Sequence, residues 1–100
     1  MKRYEIWDAE VRFEDSPEIK IRPVMIWDDI VFVGCYKLTG TDRGDNLDEF
    51  KIEFWPEAGL DKPTSIRITK LLVLNKNKLL RKRGELDPRD RLRFELRMIK

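Results

Sequence analysis

The chain has 100 residues, 41% of them hydrophobic and 40% charged, with a formal net charge of +2. This length sets one domain with a radius of gyration of roughly 13 Å, and the apolar content is enough for a core and excludes a disordered chain. Histidine is absent and Cys35 is the one cysteine, which excludes histidine acid–base pairs, histidine triads, an internal disulfide and a zinc site of ordinary ligands.

Any chemistry must therefore use Arg, Lys, Asp, Glu, Ser, Thr or Tyr side chains. A lone cysteine inside an apolar run points to a reducing, cytoplasmic setting. No apolar stretch approaches the ~20 residues of a membrane helix, and no signal-peptide core is expected at the N-terminus.

Residues 4–13 alternate, with apolar side chains on both faces near the middle, as in a strand of a small barrel. Residues 14–18 form a polar connector containing Pro17. Residues 21–27, Ile-Arg-Pro-Val-Met-Ile-Trp, read as the strand around which the rest is organised. A residue before proline is pushed towards extended geometry, which stiffens Arg22. Pro23 lacks an N–H and belongs at a strand's start or on its edge. Alternation puts Pro23, Met25 and Trp27 on one face and Arg22, Val24 and Ile26 on the other. Arg22 is thus expected as a stiffly held cation at the mouth of a strand, either paired with a nearby acid or serving a site.

Asp28-Asp29 reads as a tight turn into a near-continuous apolar strand at residues 30–38, which ends at Thr39-Gly40. Residues 41–46 carry the strongest loop signal in the chain, residues 50–54 alternate again, and residues 56–63 form another loop. A fifth strand covers residues 65–74. Five strands without an intervening helix predict a small antiparallel barrel, whose core takes Trp7, Trp27, Phe32 and Tyr36. A helical turn is expected near residues 77–81. At the C-terminus Leu92, Phe94, Leu96 and Met98 alternate like a strand, while Leu92, Leu96 and Ile99 fit a helical stripe. Asp87-Pro88, an N-cap followed by proline at the first helical position, decides for the helix.

Charge is unevenly spread. Residues 76–100 hold ten Lys or Arg against four acids. A basic end of this kind suits phosphates or an acidic partner segment.

Several segments together resemble the MazF/PemK family of toxin endoribonucleases. They are Arg22-Pro23-Val24, the strand end Leu38-Thr39, the loop Ala58-Gly59-Leu60-Asp61-Lys62-Pro63, the strand Ile66-Arg67-Ile68-Thr69-Lys70-Leu71, and Arg83-Gly84-Glu85-Leu86-Asp87-Pro88 before the last helix. Their order and spacing hold over nearly the whole chain. The resemblance implies one mainly β domain over residues 1–100, an SH3-like small antiparallel barrel with a C-terminal helix. It implies a homodimer that cuts single-stranded RNA (mRNA) without a metal or cofactor and is held by a cognate antitoxin. The 2′-hydroxyl beside the scissile phosphate is the nucleophile, leaving a 2′,3′-cyclic phosphate and a 5′-hydroxyl.

On this resemblance Arg22 and Thr39 are the catalytic positions, with Glu18 in the preceding connector as an assisting acid or base. Arg67, Arg43, Lys37 and Lys20 are the RNA-contacting cations. Lys76, Lys78, Arg81, Lys82 and Arg83 contact either phosphates or an acidic antitoxin segment. The chain departs from the family in opening its first strand with Tyr4-Glu5 instead of Gly-Asp. Thr69 stands where one branch of the family has an acid two residues after the fifth-strand arginine. These departures support an alternative, a non-catalytic SH3-like module that binds RNA, an antitoxin or another protein. A single-strand binder of the OB type would need exposed aromatic residues, which the expected core does not leave.

Overall fold

The computed structural model describes residues 1–12, 17–40 and 48–99. Its strands are β1 (Glu5–Arg12), β2 (Ile19–Asp29), β3 (Val33–Thr39), β4 (Glu49–Lys51), β5 (Ser65–Leu74) and β6 (Leu79–Glu85), followed by helix α1 (Pro88–Met98). All pairings are antiparallel and give one sheet in the order β4-β5-β3-β2-β1-β6. β4 and β6 are its two edges and do not pair with each other, so the ladder stays open. The sheet nevertheless rolls, with register shifts in the β1–β6, β2–β3 and β3–β5 pairs, the irregularities that bend a sheet. The loop between β4 and β5 reaches the far edge, where Arg83 Nε donates to the Gly59 carbonyl at 3.1 Å. Among the described residues this is a small antiparallel barrel closed by a loop.

Five of these strands stand where the alternation predicts them, and the differences have local causes. β6 is a sixth strand, unexpected from the sequence. The helical turn precedes it as a 3-10 turn at Lys76–Lys78, capped by the Asn75 side chain. Residues 79–85 are extended because they pair with β1, with Leu79 opposite Ala9 and buried on the second core face and Gly84 opposite Ile6. Lys78, Arg81 and Lys82 reach Glu10, Asp8 and Glu5 at 3.5, 3.3 and 3.3 Å, opposite charges that support a pairing register.

The expected turn at Asp28-Asp29 is instead part of β2, where Asp29 Oδ2 accepts from the N-terminal amine and Oδ1 forms an ion pair with Lys76, each at 3.0 Å. The chain reverses at residues 30–32, so Ile30, Val31 and Phe32 are exposed at 83, 76 and 53%. Phe32 is thereby removed from the core in which it was expected. β4 is shorter than the alternation at residues 50–54 suggests. Residues 13–16 and 41–47, which include the end of the first expected strand and the loop with Arg43, lie outside the described residues.

Pro23 lies inside β2 and not at its start, and Arg22 is the fourth residue of the strand, not its mouth. The edge expectation still holds locally. β2 pairs with β3 only from Val24 onwards, whereas it pairs with β1 back to Ile19. Residues 19–23 therefore have one neighbour strand, the setting a proline tolerates.

Both sheet faces are covered near the middle of β2, where Val24, Met25 and Ile26 are all fully buried. One face carries Ile6, Met25, Tyr36, Leu38, Phe50 and Ile66 and is closed by Phe94 of α1. Phe94 packs edge-on to Trp27, Tyr36 and Phe50 at centroid distances of 5.8, 5.7 and 5.4 Å, the favoured arrangement for rings. The other face carries Ala9, Val11, Val24, Ile26, Val33, Cys35 and Leu79. Helix α1 starts as the cap signal predicts, with the Arg89 N–H donating to Asp87 Oδ1 at 2.9 Å and Pro88 in the first turn.

Candidate functional site

Directly opposed residues of an antiparallel pair share a face, as do residues two apart on one strand. Arg22 is opposite Ala9, Val24 is opposite Lys37, and Thr39 is opposite Ser65, which is also opposite Lys51. Alternation then sets Lys20, Arg22, Lys37, Thr39 and Arg67 on one face, that of Val24, Ile26 and Cys35. Continuing the β2–β3 register two residues past Val24–Lys37 brings Arg22 level with Thr39. The sheet therefore gathers five of the sequence-predicted residues at the end where β2 outruns β3. Glu18 lies just before β2, exposed, and its carboxylate pairs with Lys20 at 3.6 Å.

Beside Thr39 is a cleft of about 430 Å³ whose lining includes Lys51, Glu53, Trp55, Thr64 and Ser65. Its wall is held from below by Asp90, which is fully buried in α1. Asp90 accepts the Glu53 and Phe54 N–H groups at 3.2 and 2.8 Å and Arg93 Nη1 at 2.6 Å. Arg93 also pairs with Glu53 at 3.5 Å, and the Arg89 guanidinium lies 3.5 Å from the centre of the Phe54 ring. On the opposite side Ile52 N donates to the Thr64 carbonyl at 3.0 Å, and Thr64 Oγ1 donates to the Lys62 carbonyl at 2.8 Å. The cleft is a polar slot with one aromatic wall, and Trp55 packs on the main core.

Burial pushes the Cys35 thiol up to about 12, which removes the one thiol from nucleophilic chemistry. Among the described residues no three carboxylate or thiol groups cluster to hold a metal ion. Among the described residues no helix is long and apolar enough to cross a membrane.

The basic segment is distributed otherwise than the predicted site cations. Lys76, Lys78, Arg81 and Lys82 all pair with acids of β1 and β2 at the far edge of the sheet. Arg83 is held between Asp8 at 3.3 Å and Asp61 at 2.7 Å. Hydrogen bonding to Asp61 is the first cause holding its guanidinium above the ordinary range. Arg83 thus fixes the loop to β6. In the other four the cation is exposed, while Asp29, Asp8 and Glu5 are largely covered and only the Lys78–Glu10 pair is exposed on both sides.

Sequence reasoning missed Lys51 and Trp55 in the cleft lining and Asp90 beneath it. Nothing in the spacing shows that Asp90 reaches back to residues 53 and 54.

A rolled six-stranded antiparallel sheet, closed by a C-terminal helix and opening a polar cleft at the ends of β3 and β5, defines a small SH3-like barrel of the MazF type. The Mycobacterium tuberculosis toxin MazF-mt6 superposes on it with a TM-score of 0.74 at 21% identity, covering 94% of this chain and 91% of that one. An endoribonuclease from a mycobacterial species gives a TM-score of 0.70 at 16% identity, over 96% of this chain and 85% of its own. No family model matches the sequence, and no curated protein does. The fold implied by the resemblance is the fold the chain has.

Proposed function

We propose that this protein is an endoribonuclease toxin that cuts single-stranded RNA without a metal. The observation that carries this is the gathering of Arg22, Thr39 and Arg67 on one sheet face beside the cleft, in a MazF-type fold. In the reaction the 2′-hydroxyl gives up its proton and its oxygen attacks phosphorus. The bond to the 5′-oxygen breaks, and that oxygen takes a proton, leaving a 2′,3′-cyclic phosphate and a 5′-hydroxyl. Negative charge grows on the non-bridging oxygens. A guanidinium fork stabilises it bidentately, so Arg22 is assigned this role and Thr39 Oγ a supporting donor role. Lys20, Lys37 and Arg67 hold the flanking phosphates.

Arg22→Ala should lower the cleavage rate by at least about 10²-fold, the scale of one lost charge-stabilising donor. Thr39→Val keeps the branched shape and deletes the hydroxyl, so a loss there is chemical. Glu18→Gln separates a base, whose loss is nearly complete, from a bystander.

A second reading, a non-catalytic RNA- or antitoxin-binding module, is favoured by one observation. Glu18 is exposed and its carboxylate is engaged with Lys20, which leaves the proton acceptor less firmly held than a base requires. Tight RNA binding with no cleavage at micromolar protein would establish it.

The further expectations belong to the same proposal: a cytoplasmic homodimer with an antitoxin partner. Support for a dimer comes from the exposed Leu71 and Val73 of β5 and from Leu92, Leu96 and Ile99 along the outer face of α1, more apolar surface than scattered single residues.

A further inference from the structure

The row of opposed residues that contains Thr39 runs on into the cleft. Thr39 is opposite Ser65 on β5, and Ser65 is opposite Lys51 on β4. Directly opposed residues of an antiparallel pair share a face and hold their Cβ atoms about 4.5–5.5 Å apart. Ser65 is the middle of this row, and all three residues line the cleft. It is also well held, since β5 lies between β4 and β3. Ser65 is only 8% exposed, and a polar group so covered ordinarily has a partner. Among the described residues its Oγ makes no hydrogen bond, yet it is not one of the sealed polar atoms left without a partner. The hydroxyl therefore opens to the cleft. Its neighbour Thr64 differs, because Thr64 Oγ1 already donates to the Lys62 carbonyl at 2.8 Å.

An open hydroxyl, standing between a second hydroxyl and an ammonium-bearing side chain, is the complement of an anionic oxygen. We propose that Ser65 is a further phosphate-contacting residue of the active site, its Oγ donating to the phosphate that Thr39 meets. Lys51, on the far side of the row, adds a compact charge with three donors. A short side chain on a central strand is already ordered, so binding costs it little entropy. The inference rests on the reading of Thr39 given above, so its test needs a readout independent of cleavage.

Affinity for an unreactive single-stranded RNA, uniformly 2′-fluorinated, should be measured against salt concentration for wild type, Ser65→Ala, Ser65→Cys and Lys51→Met. Ser65→Ala deletes only the hydroxyl. It should bind about tenfold more weakly, the scale of one hydrogen bond to a charged oxygen. Its log–log salt slope should stay that of wild type, because no charge is removed. Ser65→Cys fills the same space with a weak donor and should lose nearly as much. Lys51→Met should instead make the slope shallower by about 0.7, one released counterion on a single strand. Single-turnover cleavage of the unmodified RNA should fall in Ser65→Ala by at least the factor lost in binding. Thermal unfolding of Ser65→Ala should match wild type, because the hydroxyl bonds to nothing in the free protein.

Wild-type affinity in Ser65→Ala overturns the proposal, and so does a loss that comes with a lowered Tm. If wild type binds this RNA but never cuts the unmodified one, the endoribonuclease reading falls while the affinity of Ser65→Ala still decides Ser65. If wild type cuts, and Ser65→Ala cuts and binds like it, the assignment of Ser65 falls alone. A wild type that binds no single-stranded RNA ends both.

Discussion

Removing Asp90 tests how the cleft is held. Its carboxylate is fully buried and satisfies two backbone N–H groups, those of Glu53 and Phe54, along with Arg93. Asp90→Ala strands both N–H groups, each costing about 1–3 kcal/mol when buried without a partner. Arg93 is 39% exposed, so water takes over most of its lost contact and adds at most about 1 kcal/mol. Both N–H groups are part-buried, so the expected loss is about 2–4 kcal/mol, a large share of the ~5–15 kcal/mol that holds such a domain together. In heat this corresponds to a fall in Tm of roughly 10–25 °C. Urea unfolding followed by tryptophan fluorescence measures it, since Trp55 is in the affected loop and Trp27 touches Phe94. Asp90→Asn keeps one acceptor and should cost about half as much. A loss below about 1 kcal/mol for Asp90→Ala would refute the reasoning, because residues 53 and 54 would then have other partners and the cleft wall another anchor.

Gly84→Ala should destabilise by about 1–3 kcal/mol in the same assay, since its Cβ would stand 2.4 Å from the Ala58 carbonyl oxygen. Tyr4 and Tyr36 should both resist ionisation in absorbance titration. Burial, then the hydrogen bond to Glu95, pushes Tyr4 up to about 12, and burial raises Tyr36. Folding therefore favours the protonated rings, and stability should fall as pH rises above about 10, the unfolded value. A tyrosine titrating near 10 in the folded protein would contradict this. At the acid end Asp29 and Asp87 are held below the usual carboxylate range, first by hydrogen bonds from the N-terminal amine and from Arg89. Their contribution is complete above the unfolded value near ~4 and should disappear as pH falls below it. Light scattering should show a dimer that Leu92→Glu with Leu96→Glu dissociates, whereas a monomeric wild type at tens of micromolar would remove that expectation.

Much of the fold was legible because alternation and turn residues act over short distances. Val24, Met25 and Ile26 announce a strand covered on both sides, and Asp87-Pro88 announces the helix. What escaped depended on partners far along the chain. Residues 79–85 carry no strand alternation, and their geometry comes from pairing with β1, more than 60 residues earlier. The displaced turn at residues 30–32 has the same origin, since Asp29 looks like a turn former until Lys76 and the N-terminus are seen to hold it. Arg22, Thr39 and Arg67 were chosen through the resemblance, and the register brings them to one face.

The central claim is best tested on wild-type protein mixed with a long, mixed-sequence single-stranded RNA in EDTA, with the ends of the fragments identified chemically. The account predicts cutting at a few short motifs, with 2′,3′-cyclic phosphate and 5′-hydroxyl ends. It also predicts that replacing the 2′-hydroxyl at one scissile nucleotide by hydrogen abolishes cutting there while binding persists. Silence in EDTA with activity restored by a divalent metal, or fragments carrying 5′-phosphates, would contradict it.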